Sequence, residues 1–76
     1  MQLVLLSRPG CGLCEEMREQ LALLGERVAL PPLEVLDVDS DAGLARRYGL
    51  KIPVLLLDGV AVCFARLDER ELLRHL

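Results

Sequence analysis

Gln2-Leu3-Val4-Leu5-Leu6-Ser7-Arg8-Pro9-Gly10-Cys11-Gly12-Leu13-Cys14 decides how the rest of the chain is read. The run from Gln2 to Leu6 has the length of a buried strand, and Ser7-Arg8-Pro9-Gly10 breaks it at once. It is too short for a membrane span or the core of a signal peptide, and Met1-Gln2 brings no cationic start. After the break, Leu13, Met17, Leu21 and Leu24 recur at helical spacing, with Glu15, Glu16, Arg18, Glu19 and Gln20 largely on the other side. That spacing predicts a helix from Cys11 or Gly12 to about Leu24, with Gly25 as its stop. The Cys-x-x-Cys thus lies where a first strand hands over to a first helix.

Working outward, Glu26 to Leu30 is a connection, and Pro31-Pro32 forbids further helix. Leu33 to Asp39 is expected as a second strand; Ser40 or Asp41 then caps a short helix, Ala42 to Tyr48, that ends at Gly49. Val54 to Leu57 is apolar at every position, as in a strand covered on both faces. Asp58-Gly59 is a two-residue hairpin signal. Simple alternation along Val60 to Ala65 puts Val60, Val62 and Phe64 on one face and Ala61, Cys63 and Ala65 on the other. Asp68-Glu69-Arg70-Glu71 opens a last helix in the manner of a capping box, with Leu72, Leu73 and Leu76 as its buried side. The order is βαβαββα. It predicts an α/β three-layer sandwich with a four-stranded mixed sheet, in one domain spanning residues 1–76.

The bulk properties narrow the function. A chain of 76 residues buries only about 60% of its unfolded surface, and the 53% hydrophobic content suits that need for an efficient core. A net charge of -3 argues against a nucleic-acid binder, and no run suits a membrane. Three cysteines are an odd count for a secreted disulfide scaffold, so a reducing compartment, the cytoplasm, is expected.

A cysteine at a helix N-terminus meets unpaired backbone N–H groups and the positive end of the helix dipole, which favour its thiolate. Cys11, just outside the helix, is the expected nucleophile; Cys14, one turn in, is placed to resolve a mixed disulfide on it. Arg8 would favour ionisation of Cys11, whereas Glu15 and Glu16 oppose it, and the sequence leaves that balance open. A structural staple is disfavoured because the loop it would close is so short. A zinc site needs about four ligands, and beyond the pair the chain offers only Cys63 and His75, so no metal site is expected. Cys63 reads as a small buried residue and Tyr48 as a packing residue.

The stretch Ser7 to Cys14 resembles the active-site loop of glutaredoxins, which often carry a basic residue three before the first cysteine. Leu50-Lys51-Ile52-Pro53-Val54 resembles the cis-proline loop of the wider thioredoxin-fold superfamily, and the element order matches along essentially the whole chain. The short glutaredoxin-like form fits best, since the chain lacks both the extra N-terminal strand and helix of classical thioredoxins and their Trp. Where glutaredoxins carry a Gly-Gly pair and acidic residues for glutathione, this chain reads Cys63-Phe64-Ala65-Arg66-Leu67-Asp68.

The resemblance implies a thiol–disulfide oxidoreductase with Cys11 and Cys14 catalytic, and with Arg8, Gly12, Leu13, Lys51, Ile52 and Pro53 contacting substrate. It implies a cis Ile52–Pro53 bond, with the Ile52 backbone pairing with an extended substrate. No bound cofactor is expected, glutathione is a candidate reductant, and the partner is a protein or small-molecule disulfide met by a monomer. Two alternatives remain: a glutathione-linked metal or iron–sulfur module, and a thioredoxin-fold binding module without turnover.

Overall fold

Apolar runs bounded by turn residues become the strands of a single sheet in the computed structural model, which describes residues 1–76. The elements are β1 (Leu3–Ser7), α1 (Gly12–Gly25), β2 (Leu33–Asp37), a 3-10 turn (Val38–Ser40), α2 (Ala42–Tyr48), β3 (Val54–Leu57), β4 (Val60–Phe64) and α3 (Glu69–His75). The strand order is β2-β1-β3-β4, with β1 and β2 parallel and the other two pairings antiparallel. The predicted βαβαββα order and mixed four-stranded sheet are both present.

The two central strands are apolar on both faces because both faces are covered. On one side Leu3, Leu5, Leu55 and Leu57 meet Met17, Leu21 and Leu24 of α1 and Leu72 of α3. On the other, Val4, Leu6 and Val54 meet Val38, with Leu44 and Tyr48 of α2 packed against them. Each fully buried Leu or Val contributes about 1.5–3 kcal/mol, so these two clusters fix the three layers.

Four expectations are corrected. The second strand stops at Asp37, not Asp39, because the Asp37 carboxylate accepts the Asp39 N–H at 2.8 Å and its carbonyl accepts the Ser40 hydroxyl at 2.7 Å. These local bonds compete with the sheet ladder, and Val38 turns inward. Of the two expected caps of α2, Asp41 is the one used, accepting the N–H groups of Gly43 and Leu44.

The simple alternation along β4 also fails. Cys63 faces Leu55 while Ala61 faces Leu56, so Val62 is the extra residue of a β-bulge. Val62 and Cys63 therefore both enter the α1–α3 core, and Ala61 lies against the opposite cluster. On α1 the buried stripe is Cys14, Met17, Leu21 and Leu24; Leu13 lies off it, 44% exposed. On α3, Leu72 alone is buried, because the short helix meets the sheet along one row and leaves Leu73 and Leu76 outside.

Candidate active site

The site grows from the turn that joins β1 to α1. Arg8-Pro9-Gly10-Cys11 closes through the Cys11 N–H donating to the Arg8 carbonyl at 3.2 Å. Gly10 has φ +79, the left-handed value that the third position of a type II turn requires, and Pro9 pre-sets the position before it. Cys11 leaves the turn in extended backbone and is the N-cap of α1. Its Sγ accepts the Cys14 N–H at 3.1 Å and its carbonyl accepts the Glu15 N–H at 3.2 Å.

Cys11 and Cys14 are joined by a disulfide with their Cα atoms 5.2 Å apart. Helical geometry makes the two sulfurs unequal. Cys14 falls on the stripe that α1 turns to the sheet and is fully buried, whereas Cys11 at the cap is only partly covered. When the pair is reduced, the N–H that now points at the Cys11 sulfur and the N-terminal end of a 14-residue helix favour thiolate there.

Sheet register brings further loops to the same end. Leu6 pairs with Val54 and Val54 with Phe64, so the residues after β1, before β3 and after β4 are neighbours. Ile52–Pro53 is the cis bond, with Pro53 buried and Ile52 half-buried. The Pro53 carbonyl accepts the Ala65 N–H at 2.8 Å, and Ala65 itself holds φ +65. Beside the cysteine loop, a cavity of about 140 Å³ separates Leu13, Glu16 and Gln20 of α1 from Ala65, Arg66 and Leu67.

Of the two basic residues singled out in the sequence, Arg8 has an acid and a carbonyl as partners and Lys51 is exposed. Arg8 donates from Nε and Nη2 to the two carboxylate oxygens of Asp39, at 2.7 and 3.0 Å, and from Nη1 to the Gly49 carbonyl at 3.3 Å. That hydrogen bond holds the Asp39 carboxyl below, and the Arg8 guanidinium above, its ordinary range. Gly49 is buried, and a Cβ there would run into the Ala45 carbonyl and come within 3.3 Å of Arg8 Nη2. Lys51 is exposed with its ammonium 5.6 Å from the centre of the Phe64 ring. Gly12 and Leu13 are both exposed beside the pair.

Sequence reasoning missed Asp39, which reads as the last residue of the second strand, and Phe64, which reads as a strand residue. Only tertiary structure gives either of them a partner. Cys63 is a buried thiol, 4% exposed. Its Sγ receives the Asp68 N–H at 3.3 Å and lies 3.6 Å from the Asp68 carbonyl. Burial pushes the Cys63 thiol above its ordinary value; the backbone bond from Asp68 partly opposes this, and the charges of Asp68 and Glu71 add to it.

Comparison with known proteins agrees with this geometry. The family model of the glutaredoxin-like domain (DUF836) matches residues 2–76. Uncharacterized proteins of Mycobacterium bovis and Mycobacterium tuberculosis are 37% identical over 76 residues, an alignment covering 93% of this chain and 77% of theirs. The solution NMR structure of protein Ne2328 from Nitrosomonas europaea is 34% identical and superposes with a TM-score of 0.86, covering 99% of this chain and 89% of that one. With a matching family model along nearly its whole length, the chain belongs to the glutaredoxin-like domain family.

Proposed function

We propose that the protein is a thiol–disulfide oxidoreductase with Cys11 as nucleophile and Cys14 as resolving residue. The observation that carries this reading is the unequal pair at the start of α1: a reachable sulfur at the cap and a buried one a turn inside. Starting from the reduced pair, the Cys11 thiolate attacks one sulfur of a substrate disulfide. A Cys11–substrate disulfide forms, and the other substrate sulfur leaves as thiolate and takes up a proton. Cys14, losing its proton, attacks the Cys11 sulfur; the Cys11–Cys14 disulfide closes and the second substrate thiol is released. Two electrons and two protons pass to the substrate, and an external dithiol or two molecules of glutathione return them.

Gly12 and Leu13, exposed beside the pair, and the Ile52–Pro53 segment at the same sheet end form the contact surface for a protein or small-molecule disulfide. Arg8 acts on this surface through the loop it fixes. The protein works as a monomer in a reducing compartment such as the cytoplasm.

The test is a Cys14→Ser variant, which cannot resolve. It should accumulate Cys11-linked mixed disulfides that a dithiol reductant releases, while a Cys11→Ser variant accumulates none. Free, alkylatable Cys11 with no trapped partner would remove the reading. Unchanged partner binding by a double Ser variant would then point to a binding module, and metal retained after anaerobic purification to a metal module.

A further inference from the structure

Four side chains at the site's end of the sheet form a row that the exchange chemistry does not use. Phe64, a residue 46% exposed, closes β4, and its ring centre lies 6.4 Å from that of Tyr48. Lys51 stands over Phe64 at 5.6 Å, and Arg47 over Tyr48 at 5.9 Å. The row therefore reads Arg47, Tyr48, Phe64, Lys51, a cation at each end of two rings. Exposed cation–ring contacts of this length are weak, and they bias the two flexible side chains toward this arrangement.

Both cations lack a carboxylate partner, although the chain carries a net charge of -3. Arg8, Arg18, Arg27 and Arg74 are each paired with an acid, whereas Arg46, Arg47, Lys51, Arg66 and Arg70 are not, and of these only Arg47 and Lys51 stand over the two rings. The acids of the neighbouring segments are already committed. Asp39 holds Arg8, Asp41 caps α2, and Asp68 caps α3 by accepting the Glu71 N–H at 3.1 Å. Glu16 lines the cavity it shares with Arg66, on the α1 side.

The row also borders the substrate path. Phe64 pairs with Val54, the residue after Pro53, and Lys51 precedes Ile52. A chain laid along Ile52–Pro53 would run past the Phe64 ring with Lys51 and Arg47 beside it. We infer that this row is a docking platform for an extended protein segment that carries acidic residues next to its disulfide cysteine. The inference rests on the oxidoreductase reading and names its substrate class: protein disulfides with carboxylates close by. The rings give an apolar seat to the segment, and the two free cations select its charge.

The probes are three synthetic peptides of equal length, each with one cysteine in mixed disulfide with a neutral chromogenic thiol. Glu, Gln or Lys flanks the cysteine. With the reduced full-length protein at low salt, the Glu peptide should react roughly fivefold faster than the Gln peptide, from two exposed charge pairs. The preference should fade as salt rises above about 0.5 M. An Arg47→Glu, Lys51→Glu double variant should reverse the order, and Lys51→Gln should weaken it; because each ratio is taken within one protein, general damage cancels.

Equal rates for Glu and Gln peptides, or a preference that survives both variants, overturns the platform while leaving the oxidoreductase intact. If no peptide reacts, the oxidoreductase reading fails; the platform is still tested by NMR shifts at Phe64 and Lys51 on adding a Glu peptide without cysteine. No shift there overturns it as well. A rate loss on glutathione disulfide as large as that on the Glu peptide would assign the row to a small anion and overturn the protein-client inference.

Discussion

Cys11 and Cys14 differ by one turn of helix, and that turn separates a reachable sulfur from a buried one. The third cysteine behaves differently because its surroundings do. Burial keeps Cys63 protonated where an exposed thiol would begin to ionise, so in the native protein it should resist alkylation at about pH 8 and react only on unfolding. Replacing it with Ala removes a buried sulfur that holds the cap residue of α3, and should cost about 1–2 kcal/mol in a urea titration. Asp39 carries the opposite shift. Its carboxyl is held low by Arg8, so the stability it adds is present above the ordinary carboxylate range and is lost as pH falls through its lowered value. Asp39→Asn should therefore flatten the fall of the urea midpoint below about pH 4. An identical acid limb in variant and parent would show that the pair contributes nothing.

At the scale of elements, the central strands and α1 were legible because their apolar spacing is dictated by burial on known faces. Val4, Leu5 and Leu6 leave no other reading, and Met17, Leu21 and Leu24 sit on one side of any helix. The ends were less legible. Nothing in Val60-Ala61-Val62-Cys63-Phe64 announces a bulge, since an inserted residue changes which side chains face the core without changing their types. Likewise Asp37 ends β2 through its own backbone bonds, which compete with a ladder that the residue types alone would support. Two variants measure these boundaries. Leu72→Ala should cost about 2–5 kcal/mol and Leu73→Ala less than about 1 kcal/mol, because only the first is buried. Gly10→Ala meets no side chain, yet should cost about 1 kcal/mol through its positive φ alone.

In the whole molecule, the sheet's strand order is what assembles the site. The cysteine loop, the cis-proline loop and the end of β4 are far apart in the chain, and antiparallel pairing of β1 with β3 and of β3 with β4 brings them to one end. Spacing and the family resemblance together pointed to Cys11, Cys14, Ile52 and Pro53, because those residues carry their signal locally. Asp39 and Phe64 escaped notice because their roles exist only across the fold, in the Arg8 ion pair and in the tilted ring pair with Tyr48. The central claim is that Cys11 and Cys14 are a working dithiol couple. Its most direct test is the equilibrium of the pair against a glutathione redox buffer, read by trapping free thiols with an alkylating agent. A reversible two-electron transition between roughly -270 and -180 mV is predicted, the span from thioredoxin to protein disulfide isomerase. A pair that never closes, or that ends as a stable glutathione adduct on Cys11, would contradict it.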